Sequence, residues 1–145
     1  MDLFTSMNVS SSALSAERTR MNLISSNLAN ANTTKTPEGG PYKRKDAVFS
    51  ATDPTDKFGK ALKGAAMQQL KQVTVTEIVE DKNPPRMVFD PGHPEANQEG
   101  YVAMPNVNVV EEMADMINAT RAYEANVMAA QAAKNMALKT LEIGR

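Results

Sequence analysis

Histidine occurs once in this chain, as His93 within Asp90-Pro91-Gly92-His93-Pro94-Glu95. Asp90, His93 and Glu95 are residue types that coordinate a divalent metal, and one loop could present all three. Two prolines and a glycine within the same six residues describe a solvated turn instead, where a lone imidazole needs no ligand role. The metal reading is set aside, and no cofactor is expected. Lys43-Arg44-Lys45 is the sole basic run. It could meet phosphate or an acidic partner, but three charges make a weak patch. The plainer expectation is an exposed edge strand whose charges discourage unwanted pairing. Asn8-Val9-Ser10, Asn32-Thr33-Thr34 and Asn118-Ala119-Thr120 match the glycosylation sequon, two of them on expected helices, and are read as chance matches. No Gly-rich phosphate loop, His-Glu-x-x-His or Gly-x-Ser-x-Gly is present. No catalytic residue is therefore proposed, and the chain is not expected to be an enzyme. Asn27 and Asn30 are three apart, so on a helix they share one face. Their amides can bond the backbone of a neighbour or of the turn that follows, and ordinary helix capping is an equally open use.

The elements that would position these groups follow from composition and spacing. With 145 residues, 16 basic and 17 acidic, the net charge is -1, which offers no field for nucleic acid or an acidic membrane. Neither is an expected partner. The same balance gives copies of the chain little mutual repulsion. Aromatics are only 5% of the chain and Trp is absent, while there are ten methionines, a mixture suited to helix–helix contacts. Cysteine is absent, which excludes disulfides and thiolate metal sites. Met1-Asp2-Leu3-Phe4-Thr5-Ser6 lacks a basic n-region and an apolar core, so export, if any, is expected by a route without a cleaved signal. No stretch approaches the roughly 20 apolar residues of a membrane span, and direct membrane insertion is not expected.

Three parts separate along the chain: an N-terminal assembly helix within 1–34, a β-rich insert with long loops over 35–106, and a C-terminal assembly helix within 107–145. From Leu3 to Asn30 there is neither Pro nor Gly. Met7, Leu14, Met21 and Leu28 recur every seven residues, with Leu3 and Ile24 on the companion position and Ser10 and Glu17 interrupting it. The helix is expected to end near Ala29-Asn30-Ala31-Asn32, because Asn tolerates a left-handed C-cap. The insert holds all eight prolines and six of the seven glycines. Gln72 to Val79 is its clearest strand, with Arg86 to Phe89 as the expected partner across Asp81-Lys82-Asn83-Pro84-Pro85. Tyr42 to Phe49 and Tyr101 to Met104 are weaker strands, and Phe58 to Leu70 is either a short helix or mobile. In the last part Asn108 and Glu111 suggest a capping box. Val109, Met113, Met116, Tyr123, Val127, Ala130, Ala137 and Leu141 are spaced 4, 3, 7, 4, 3, 7 and 4, a heptad seam with Thr120 and Lys134 as polar members. Gly144 stands where a C-cap would end it. The expected fold is α+β, two long terminal helices packing as a coiled coil around a small β-rich insert. The insert has few large residues to cover the two stripes. Each stripe must meet the other terminus, a copy of itself or another protein, and a plain intramolecular hairpin remains an alternative.

Ser25-Ser26-Asn27-Leu28-Ala29-Asn30-Ala31-Asn32-Thr33-Thr34 resembles the N-terminal signature of the flagellar rod and hook family. Gly39-Gly40-Pro41-Tyr42-Lys43-Arg44-Lys45, then Tyr101 to Met113 and Arg121-Ala122-Tyr123-Glu124-Ala125-Asn126, look like the versions carried by its proximal rod members. The resemblance reaches both ends, with Thr52 to Glu80 its least diagnostic part. It implies a structural subunit of the bacterial flagellar basal-body proximal rod, a hollow drive shaft that transmits torque and conducts later subunits outward. The implied partners are other rod proteins, copies of itself, the basal-body adaptor at the rod base and the flagellar export apparatus. The implied place is the periplasm-spanning rod, reached without a cleaved signal. The residues expected at assembly contacts are Met7, Leu14, Met21, Ile24, Asn27, Leu28, Asn30, Val109, Met113, Met116, Tyr123, Val127 and Leu141. A soluble helical adaptor with a discrete stoichiometry is the alternative.

Overall fold

A computed structural model describes residues 3–52 and 71–143. Helix α1 spans Leu3–Ala29, strands β1 Lys45–Thr52, β2 Gln72–Glu80, β3 Arg86–Phe89 and β4 Tyr101–Met104 follow, and helix α2 spans Val109–Ile143. At 1.5 Å per residue the helices are about 40 and 52 Å long. The architecture is α+β, with two terminal helices and an insert of two small antiparallel ribbons. The segment Phe58 to Leu70 lies outside the described residues, as does Gly144.

The helix ends are made by asparagines. No non-glycine residue among those described has a positive φ, so α1 does not end on a left-handed Asn. Asn30 bonds back instead: its backbone N–H and its Nδ2 both donate to the Ser26 carbonyl, at 3.0 and 2.9 Å. Thr33 Oγ1 then donates to Asn30 Oδ1 at 3.1 Å. The side chain does locally what a left-handed cap does elsewhere, so no backbone strain is needed. At the start of α2, Asn108 Oδ1 accepts the Val110 N–H at 3.1 Å, one residue short of the capping-box donor at Glu111.

The strands pair differently from the expectation. β2 pairs with β1, Lys45 opposite Glu80, and β3 pairs with β4, Arg86 opposite Met104. Pro84-Pro85 fixes two successive φ angles near -65° and supplies no N–H, so β2 cannot fold straight back into β3. Asp81 starts the redirection by accepting the Asn83 N–H at 2.9 Å, which holds its carboxyl below the usual carboxylate range. A bulge between Val48 and Phe49 leaves Thr76 as the extra residue of β2, and its hydroxyl donates to the Val48 carbonyl at 3.1 Å.

Helix α1 is the shared element, touching α2 as well as the β1–β2 ribbon. Asn27 meets the start of β1 at Lys45, while Ser12 Oγ accepts the Val73 N–H at 3.2 Å. Val73 is the partner of Ala51. Ser12 to Asn27 covers about 22 Å of helix, and Lys45 to Ala51 about 20 Å of strand. Helix and ribbon therefore advance together. The Arg20 guanidinium lies 4.2 Å from the Phe49 ring centroid and fastens the middle of this contact.

The helix pair is antiparallel, since Asn27 contacts Glu112 and Met21 Sδ lies 3.8 Å from Thr120 Oγ1. The side of α2 that is buried or half-buried carries Glu112, Met116, Ala119, Tyr123, Asn126, Ala130, Ala133 and Ala137. Four of these belong to the expected seam. The other arm sits one residue back, at Glu112, Ala119, Asn126 and Ala133 in place of Met113, Thr120, Val127 and Lys134. Small side chains there, with Ala16 and Ile24 buried on α1, let the helices approach closely, and Met113, Met128 and Met136 are left outside.

The second ribbon closes through Gly100, whose φ is +81° and where a Cβ would lie 2.9 Å from Phe89 Cε2. Phe89 and Tyr101 stack edge to face there, centroids 5.3 Å apart. Gly100→Ala is expected to cost about 1–2 kcal/mol through the left-handed backbone. Denaturant titration measures it, and a loss under a few tenths of a kcal/mol would show that the turn relaxes freely.

Candidate functional site

Two features stand out once the helices are placed. The first is a buried polar cluster where α1, β1 and α2 meet. The chain leaves α1, reverses through Gly39 and Gly40 at φ 90° and 80°, and returns with the Tyr42 N–H on the Thr33 carbonyl at 3.0 Å. That reversal brings Tyr42, Arg44 and Lys45 alongside Asn27. Asn27 is 1% exposed, and its carboxamide uses its full capacity. Nδ2 donates to the Lys45 carbonyl at 2.9 Å and to Glu112 Oε2 at 3.0 Å. Oδ1 accepts the Lys45 N–H and the Tyr42 hydroxyl, both at 3.0 Å. The amide thus pairs with both backbone groups of Lys45, as an adjacent strand would, while also tying in the other helix.

Glu112, also 1% exposed, receives the Arg44 Nε–H on Oε1 at 2.6 Å. Arg44 reaches Asp46 at 3.3 Å and Asp115 at 3.9 Å with its remaining nitrogens. Burial alone would lower the pKa of Arg44, but the hydrogen bonds and charges of Glu112 and Asp46 together outweigh it, so the guanidinium is held above its ordinary value. It therefore remains the cationic partner wherever the fold exists. A charge-assisted bond of this length between a fully buried carboxylate and a partly buried guanidinium is a geometric constraint as well as an attraction.

The second feature is the outer side of α2. Val110 is 74% exposed, Met113 and Ile117 54% each, and Met128, Met136, Leu138 and Leu141 are exposed too. Val110, Ile117 and Met128 share the side away from α1 with Met113 beside them, interrupted by the exposed Arg121 and Glu124, whereas Leu141 continues the line of Tyr123, Ala130 and Ala137. Exposed apolar residues grouped on one side of a helix are what an interface uses.

The thirteen residues expected at assembly contacts divide between these settings. Ile24 and Asn27 are buried within the chain, and Leu14, Met21, Leu28, Asn30, Met116 and Tyr123 are half-buried. Met7, Val109, Met113, Val127 and Leu141 are exposed. The two asparagines do different things: Asn27 reaches the insert and α2, and Asn30 closes its own helix. Arg44 and Glu112 were not singled out from the sequence for what they do here. Arg44 is no solvated edge charge; only its neighbours Lys43 and Lys45 behave so, near Glu80 at 3.8 and 3.5 Å. The available signal was Glu112 lying in phase with Ala119, Asn126 and Ala133, a run of small or polar residues beside the more apolar stripe. His93 Nδ1 accepts the Glu95 N–H at 3.2 Å, a local turn contact. Among the described residues no cluster of His, Asp or Glu could hold a metal, and no helix is long and apolar enough to cross a membrane.

Comparison with known proteins adds the following. Residues 7–35 match the family described as flagella basal body rod protein, and residues 98–143 the one described as flagellar basal body rod FlgEFG protein C-terminal. The chain is 43% identical to the flagellar basal-body rod protein FlgC of Borreliella burgdorferi, covering 99% of this chain and 98% of that one. It is 43% identical to the protein of that name from Bacillus subtilis, and 38% identical to that from Salmonella typhimurium, over the full length of both chains in each case.

Proposed function

Because this chain belongs to the flagellar basal-body rod protein family and is a structural subunit of the rod, we propose that it stands in the proximal part of that rod and contributes its helix pair to a hollow shaft. The single observation that supports this reading is the outer side of α2, where Val110, Met113 and Ile117 are left to water by the chain's own fold. Ordering and covering that side is favourable only when another subunit packs against it, which couples the stability of the exposed helix to assembly. Related rod subunits and further copies of this chain are the partners, with the basal-body adaptor at the base and the flagellar export apparatus as the route outward. The place is the periplasm-spanning rod, reached without a cleaved signal. Exposed methionines suit a surface that must meet related but non-identical neighbours, because thioethers adapt to several packings. The work is mechanical, transmission of torque around a conducting bore, with no catalytic step. The most convergent polar cluster among the described residues, around Asn27 and Glu112, is consumed by internal bonds.

The test is location and stoichiometry. A tagged chain expressed in a flagellated host in place of its own rod subunit is expected to restore motility and to co-purify with rods stripped of membrane. A chain absent from stripped rods, and recovered in a soluble complex of fixed small stoichiometry, would replace the rod reading with that of an adaptor.

A further inference from the structure

The pairing of α1 with α2 faces a problem of register. The α2 seam repeats every seven residues, and its arm runs Glu112, Ala119, Asn126, Ala133. Apart from Glu112 these are small or neutral, and Ala16 is a small buried residue of α1. Sliding α2 by one heptad, about 10 Å, puts Ala119 in the place of Glu112, Asn126 in that of Ala119 and Ala133 in that of Asn126. Glu112 is the one charge in this arm, so its displacement is the exchange that a small neutral side chain does not make good.

We propose that the Asn27–Glu112–Arg44 cluster is the device that specifies this register, acting as a buried polar lock between the two helices. In the native register Glu112 meets both the Asn27 amide and the Arg44 guanidinium, at 3.0 and 2.6 Å. One heptad away, Ala119 takes the place of Glu112 beside Asn27. The second amide hydrogen then has no acceptor, and Arg44 has no buried carboxylate. Buried polar residues at one seam position are the best-attested way for a helix pair to choose a register. Here the choice is also transmitted to the insert, because the same Asn27 amide grips both backbone groups of Lys45 at the start of β1. The lock thus fixes helix against helix and ribbon against helix together. In a rod, and this clause rests on the rod reading, it would set where Val110, Met113 and Ile117 stand along the shaft.

The absence of cysteine makes the test direct. Met21→Cys with Thr120→Cys reports the native register, because those side chains already touch at 3.8 Å. Met21→Cys with Met113→Cys, or with Val127→Cys, reports a slip of one heptad in either direction. Each pair is placed in the otherwise unchanged chain and in a chain carrying Asn27→Leu, Arg44→Met and Glu112→Leu, then treated with a short thiol crosslinker on the isolated protein. The unchanged chain is expected to crosslink almost wholly in the native pair. In the apolar chain the slipped pairs should gain about a hundredfold relative to the native pair while helicity is kept. Native-only crosslinking in a helical apolar chain, or comparable registers in the unchanged one, would overturn the proposal. If the apolar chain loses helicity, Glu112→Gln decides: it keeps the side-chain length and removes the charge. A rise of about tenfold in slipped crosslinks supports the lock, and no rise refutes it. A merely stabilising cluster would change the midpoint of unfolding and leave the register ratio alone. The readout uses the isolated chain, so it stands or falls separately from location in the rod.

Discussion

Asn27→Ala is expected to lower the unfolding free energy by about 3 kcal/mol, a large effect for the removal of one amide from a helix. Truncation strands the Lys45 N–H, the Lys45 carbonyl and Glu112 Oε2, each of which now bonds the carboxamide. A buried group left without a partner costs about 1–3 kcal/mol, and water entering the vacated space recovers part of the sum. Tyr42 loses less, since its hydroxyl keeps Ser26 Oγ at 3.3 Å. The loss is a substantial part of the roughly 5–15 kcal/mol that holds a domain of this size together. Asn27→Asp separates hydrogen bonding from volume. It keeps the shape and one acceptor, but turns an oxygen toward the Lys45 carbonyl and the Glu112 carboxylate. Asp is therefore expected to be at least as damaging as Ala despite being nearly isosteric. Denaturant titration of both variants provides the measurement, and an Asp variant milder than the Ala variant would mean that packing, and not the amide donor, is what the site needs.

The two long helices were legible because their signals are local. A run without Pro or Gly, apolar recurrence and an Asn at each inner boundary suffice to place α1 and α2. Strand existence was legible for the same reason, since β-branched alternation at Gln72 to Val79 is a property of the segment itself. Pairing was not. β2 takes β1 as partner across an intervening stretch that includes 53–70, a choice made by how both strands lie along α1 at Ser12 and Asn27, which no window of sequence reports. One arm of the α2 seam sits one residue back from the heptad read in the sequence, for a related reason. Hydrophobicity marks the larger residues Met113 and Val127, whereas close approach to α1 selects the smaller ones beside them, Ala119 and Ala133, and tolerates Glu112 because Arg44 and Asn27 satisfy it. The apolar stripe read from the sequence is thus two surfaces superimposed, one turned to α1 and one turned outward. Lys43-Arg44-Lys45 shows the same limit: equal in charge, they differ in fate because only Arg44 faces the start of α2.

Ile117→Asp exploits that separation and is expected to abolish rod incorporation while sparing the fold. Ile117 is 54% exposed, so a carboxylate there stays hydrated in the single chain, and the unfolding free energy should shift by no more than about 0.5 kcal/mol. Covered by a neighbouring subunit, the same carboxylate would be desolvated, and pairing with Arg121 one turn on would offset only part of a penalty of several kcal/mol per subunit. A penalty of about 3 kcal/mol already lowers an association constant more than a hundredfold, and it recurs at every subunit of a shaft. Val127→Asp, on the flank of the same helix at 38% exposure, should act alike, with a somewhat larger effect on the single chain. Leu28→Asp is a poorer probe, because Leu28 is half-buried and a charge there disturbs the chain's own packing. Gln98→Asp, on an exposed loop, adds the same charge away from α2 and serves as the control. The expected pattern is loss of motility and of chain in stripped rods for Ile117→Asp, normal behaviour for Gln98→Asp, and matching denaturation midpoints for both. Normal rods from Ile117→Asp would remove the outer side of α2 from the interface. An equal loss with Gln98→Asp would point to net charge, because only a local effect can distinguish two carboxylates that differ solely in which side of the molecule carries them.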